Sequence, residues 1–186
     1  TGNNLQVIAW ADQKISTREL LQNWLVVYLA NAAGAIGLVI IVVASNHPAM
    51  NGGLLAATAI KIASIKVSLP FWEAFFKGVL CNVLVCLAVW LAMAGRSVTD
   101  KILAIVFPIS AFVAAGFEHS VANMYFIPLG ILLQGSDATG SQFGWMDMLY
   151  NLLPVTMGNI AGGSLMVALV YYLIYRRGAK KDSKSG

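Results

Sequence analysis

Long uncharged apolar runs separated by short polar connections dominate the chain. Four of them, with apolar cores at Asn23–Ser45, Pro70–Ala94, Ile102–Leu133 and Asn151–Tyr175, are long enough to cross a hydrocarbon layer of about 30 Å, which takes roughly 20 helical residues. The pattern predicts membrane helices over 20–45, 70–94, 102–133 and 151–175. The third run is too long for one straight span, since it would make a rod of about 48 Å at 1.5 Å per residue. It is also interrupted by Glu118-His119-Ser120, directly after Gly116 and Phe117. An acid and an imidazole in hydrocarbon cost a few kcal/mol each on insertion scales, so they persist where they face protein or a substrate route. A broken helix is tolerated at that depth only where protein or a wet cavity satisfies its backbone. The two signals coincide, and residues 116–120 are the candidate site.

Composition agrees with several spans. Apolar residues make up 59% of the chain and charged ones 11%, against about 25% charge in a soluble domain. The net charge of +4 does not indicate a nucleic-acid surface, because much of it sits in one terminal cluster of Arg176, Arg177, Lys180, Lys181 and Lys184. A juxtamembrane anchor on the cytoplasmic side explains that cluster, and residues 176–186 are expected to be a basic cytoplasmic tail. Four crossings then put Lys14, Arg18, Arg96 and Lys101 on the cytoplasmic side. The 46–69 connection and the 134–150 loop face outward. Trp24, Trp72, Trp90 and Tyr175 near the ends of the runs suit an interfacial belt. Cys81 and Cys86 are five apart on one apolar segment and read as small packing residues. No cofactor or metal motif stands out, and nothing resembles a cleavable leader. The polar start, without Met, suggests a fragment. Leu5–Ala11 is too short to span and fits either the second half of a broken helix or an interfacial segment.

An internal repeat is legible without gaps. Asn23–Val42 laid over Asn151–Val170 pairs Asn23 with Asn151, Asn31 with Asn159, Ala33 with Ala161 and Gly34 with Gly162. The first copy runs inside to outside and the second the reverse. Inverted repeats are a common plan of transporters, with the substrate route near the midplane. Ala30, Ala33, Gly34 and Gly37, and Gly158, Gly162 and Gly163, permit close helix approach.

Three segments carry a family resemblance: Gly116-Phe117-Glu118-His119-Ser120-Val121-Ala122-Asn123-Met124, the run Cys81–Trp90, and Leu153–Gly163. They resemble the formate/nitrite transporter family over nearly the whole chain, with the formate branch the more similar. The resemblance implies an all-α integral membrane protein, an aquaporin-like inverted-repeat bundle with broken helices, assembled as a homopentamer with one pore per protomer in a cell membrane. It implies that residues 1–19 hold the end of broken helix two and a cytoplasmic connection. It also implies that the chain lacks the first helix and half of the second, with most of the cytoplasmic constriction.

The resemblance also implies roles. His119 would be the central pore histidine, offering a hydrogen bond or a proton to a passing anion, with Thr1 as its partner across the pore. Asn82 and Asn159 would line the route as amides able to donate to an anion or accept from a neutral acid. Phe112 would form an outer slit, and Lys66, otherwise an exposed loop residue, would draw anions to the entrance. Gly116, Phe117, Glu118 and Asn123 would support the break, with Glu118 buried between helices rather than facing the pore. The expected function is a passive or proton-linked channel for formate, with nitrite or hydrosulfide as related substrates. Two other classes stay open on the residues alone: an intramembrane enzyme using Glu118 and His119 as acid and base, and a non-transporting membrane subunit.

Overall fold

The computed structural model describes residues 2–135 and 142–176. Every regular element among them is helical. A 3-10 turn, Gly2–Leu5, leads into a short helix α1 (Gln6–Ala11). Helix α2 (Thr17–Ala44) follows, started by Ser16, whose hydroxyl accepts from Glu19 N–H while the Glu19 carboxylate accepts from Ser16 N–H. This reciprocal bonding satisfies donors that a helix start leaves open.

Left-handed Asn46, Asn51, Gly52 and Gly53 turn the chain through His47–Gly53 into helix α3 (Leu54–Val67). This helix corrects the reading of 46–69 as a plain connection. Its 14 residues make a rod of about 21 Å, too short to register as a span. Helices α4 (Phe71–Ala94), α5 (Val98–Ala114), α6 (Ser120–Leu133) and α7 (Trp145–Ile160) complete the bundle. The last continues with wider π-type winding through Ala161–Leu169 and Tyr172–Arg176. Three of these helices, Thr17–Ala44, Phe71–Ala94 and Trp145–Ile174, are individually long and apolar enough to cross a bilayer. The run over 102–133 is divided between α5 and α6. Helices α2, α5 and α7 begin ahead of residues 20, 102 and 151; the first turns of α2 and α5 are polar and belong to the helix but not to its apolar run, while α7 adds the largely apolar Trp145–Tyr150.

Packing places the break at the centre. Helix α4 lies so close to α7 that a Cβ added at Gly158 or Gly162 would meet the carbonyls of Phe75 or Val79. Helix α6 is held from two other sides. Tyr28, Ala32 and Ala35 of α2 pack on a core of Met124, Ile127, Met148 and Leu152, and Ala63 of α3 packs at Gly130. The register of the repeat reaches further than its apolar part. Ser16 and Glu19 at the start of α2 fall in register with Gly144 and Asp147 at the start of α7, where the Asp147 carboxylate accepts from Gly144 N–H.

Candidate functional site

The helix stops at Ala114 because Gly116 turns left-handed, at φ 66°, where a side chain would be strained. The backbone groups freed by the break find partners on neighbouring helices. Glu118 N–H donates to the Lys77 carbonyl at 3.3 Å. Asn159 of α7 takes the Ser120 N–H on its Oδ1 at 2.9 Å and donates Nδ2 to the carbonyls of Glu118 and Gly78 at 3.0 and 2.9 Å. One buried amide thus stitches the break to two helices, with both donor hydrogens and its oxygen in use. The donor hydrogens that the sequence offers to a passing anion are bonded here to the backbone carbonyls of Gly78 and Glu118.

His119 is the N-cap of α6, extended at φ −120°, ψ 120°, and its Nδ1 accepts from Ala122 N–H at 3.4 Å. A neutral imidazole carries one proton, so an accepting Nδ1 places the hydrogen on Nε2 and makes that nitrogen a donor. Phe112, at the other side of the break, stacks on the imidazole with ring centres 6.2 Å apart and 28° between planes. Since the helix is interrupted between them, the break itself, and not helical spacing, brings them together.

Glu118 points away from this ring into a closed polar circuit. Lys66 Nζ donates to one carboxylate oxygen at 2.9 Å and Asn123 Nδ2 to the other at 2.6 Å. Asn123 Nδ2 also donates to Asn151 Oδ1 at 2.7 Å, and Asn151 Nδ2 returns to the Lys66 carbonyl at 2.7 Å. The circuit ties α3, the break, α6 and α7 together. Lys66 is therefore not an exposed loop lysine. It sits in the last turn of α3 with its side chain 15% exposed and its charge matched by Glu118. Asn151 was not singled out for this task by the sequence. The available signal was an amide at the head of an apolar run, and the structure buries it at 4% exposure.

His119 and Ser120 open onto a cavity of about 100 Å³, whose wall also includes Asn3, Asn4, Asn82 and Asn159. On the α2 side the wall includes Trp24, Tyr28 and Asn31. Asn82, 2% exposed, donates Nδ2 to the Asn159 carbonyl, while its Oδ1 has no hydrogen-bond partner among the described residues. The structure thus gathers His119, Asn82 and Asn159 around one space, with Phe112 stacked on the imidazole, and sets Lys66 aside with Glu118 and Asn123. Thr1 and the basic cluster from Arg177 onward lie outside the described residues.

Comparison with known proteins places this geometry. A family model described as formate/nitrite transporter matches residues 1–173. The formate channel FocA of Escherichia coli K12 is 40% identical over 190 aligned residues, covering 95% of this chain and 67% of that protein. A probable formate transporter of Methanothermobacter thermautotrophicus is 42% identical, covering 94% of this chain and 67% of its own length. The solved structure titled as a pentameric formate channel with formate bound superposes with a TM-score of 0.80 at 40% identity, over 87% of this chain and 69% of that one. The chain spans about two thirds of the length of these curated relatives. With its broken helix, its apolar spans and this match over nearly all its residues, the chain belongs to the formate/nitrite transporter family.

Proposed function

We propose that this chain forms most of a channel protomer for formate, in which the anion is handled as a weak acid beside His119. A bare ion in a low-dielectric passage costs tens of kcal/mol by idealised estimates, and a neutral acid far less. The observation that carries the reading is the broken helix whose cap residue, His119, lines a polar cavity with its Nε2–H as donor, in a chain 40% identical to a formate channel. A hydrogen bond from that donor to a carboxylate is charge-assisted and shorter than a neutral one. Phe112 limits the space beside the ring. Asn159 and the Lys66–Glu118–Asn123 circuit hold the break in place without touching the substrate.

The assembly is a homopentamer in a cell membrane, by likeness to the solved pentameric relative. The C-terminus is cytoplasmic, on the side of Lys14, Arg18, Arg96 and Lys101. Nitrite and hydrosulfide are related candidates of the same size and charge. An enzyme reading is disfavoured because both oxygens of Glu118 are engaged by Lys66 and Asn123, leaving the carboxylate no lone role as acid or base.

Flux in proteoliposomes tests the reading, with formate, nitrite and hydrosulfide compared across pH. Formate is expected to pass, and His119→Phe to slow it at least about tenfold, the equivalent of about 1.4 kcal/mol. Equal formate flux in that variant at every pH would remove His119 from the mechanism. Flux of nitrite without formate would overturn the substrate assignment.

A further inference from the structure

Tyr28 and Thr156 are mates in the internal repeat, 128 residues apart, and they meet: Tyr28 Oη and Thr156 Oγ1 lie 3.2 Å from each other. Residues related by a two-fold axis touch only where the axis passes. In an inverted repeat that axis lies in the membrane plane, at the depth where substrates bind. Both residues line the His119 cavity, as do the next mates along the two helices, Asn31 and Asn159. We propose, on the basis of the formate reading above, that this hydroxyl pair is the proton branch of the site: it joins waters in the cavity to the anion held at His119.

Four observations carry the proposal. The cavity of about 100 Å³ is well above the roughly 10–15 Å³ that a single water needs on this measure, so several waters fit. Its wall carries Asn3, Asn4, Asn31, Ser120 and Asn159 beside the hydroxyl pair, polar groups that hold waters in place. Each hydroxyl of the pair is able both to donate and to accept, which is what a proton relay asks of its members. The imidazole cannot pass a proton through its ring while Nδ1 is engaged by Ala122 N–H. His119 therefore orients the anion from one side, and the proton arrives from the other.

The step balances. Hydronium at the cavity gives a proton to the first hydroxyl of the pair. That hydroxyl releases its own proton to the second, and the second places its hydrogen on a formate oxygen. One O–H bond forms on formate for each one broken upstream, giving formic acid and water, and the reverse sequence restores the anion on exit. Among the described residues the cavity wall holds no Asp, Glu, Lys or Arg, so His119 and Tyr28 are its titratable groups. The nearest charges, Lys66 and Glu118, neutralise each other behind the break.

The test uses the protein as encoded, in proteoliposomes, with formate flux and intravesicular pH followed together, in H2O and in D2O. Thr156→Val and Tyr28→Phe are expected to lower proton-coupled formate flux at least about tenfold and to shrink the solvent isotope effect, as loss of a proton-transfer group does. Thr156→Ser keeps the hydroxyl and is expected to stay near the parent. Parent-like proton movement in both Thr156→Val and Tyr28→Phe would overturn the proposal. So would a Thr156→Ser defect equal to that of Thr156→Val, which would mark the pair as packing alone. If the parent protein itself carries no formate, the channel reading falls first, and the variants are not needed to see it.

Discussion

Helices α2 and α7 are two copies of one motif, and they have come to different uses. In the most apolar window of each, 6% of α2 but 50% of α7 is buried within the described structure. Gly158 and Gly162 of α7 receive the backbone of α4, whereas their mates Ala30 and Gly34 on α2 are uncovered, and a Cβ at Gly34 would meet nothing within 4 Å. The amides diverge in the same way. Asn159 bonds three backbone groups of the break and of α4, while Asn31 donates to Val27 of its own helix. Asn151 belongs to the buried circuit, and its mate Asn23 keeps a buried Oδ1 without a partner among the described residues. A motif sets what a helix face is able to do. The neighbour laid against it decides what it does.

The widest separation is expected at the glycines. Gly162→Val drives a side chain into the carbonyl of Val79 and is expected to cost about 3 kcal/mol, whereas Gly34→Val falls within about 1 kcal/mol. Thermal unfolding of the purified proteins in detergent measures both. Equal damage at the two sites would show that the face of α2 is packed as tightly as that of α7 in the assembled protein.

A smaller contrast belongs to the amides. Asn159→Ala orphans the Ser120 N–H and the Glu118 carbonyl, and at about 1–3 kcal/mol for a buried unmade bond it is expected to destabilise the break and stop flux. Asn31→Ala is expected to change stability by less than about 1 kcal/mol and to leave flux near the parent value. Hydrogen exchange at Ser120 and Val121 reads the break directly, and protection surviving Asn159→Ala would contradict the capping role. At the helix starts the order reverses. Ser16→Ala removes a side-chain cap worth about 1 kcal/mol from α2, while Gly144→Ala leaves the Asp147 bond to the backbone of α7 intact. A melting temperature lowered more by Gly144→Ala would break that part of the comparison.

The long helices were legible because apolar runs of twenty or more residues have few other outcomes. The break was legible because Gly116 and two ionisable residues interrupt such a run at one point. Helix α3 was not, since a short helix made of Ala, Ile and Lys resembles an outer connection until its neighbours are known. Which backbone groups each buried amide meets was not legible either. Asn82 and Asn159 have the same chemistry in similar apolar surroundings, and only the position of Ser120 and of the freed carbonyls separates them. The partner of Lys66 was not legible for the same reason: its ion pair with Glu118 spans 52 residues, and no local pattern announces it.

The meeting of Tyr28 with Thr156 bears on how the two halves of the chain are allowed to differ. A two-fold axis through a contact asks each half to present the same group to its own image, and two tyrosines in that gap would compete for one volume. A large phenol on one side and a small alcohol on the other fill it once. That unequal filling makes the halves non-interchangeable at their centre, so swapping either copy for the other would leave the middle of the molecule overfull or hollow.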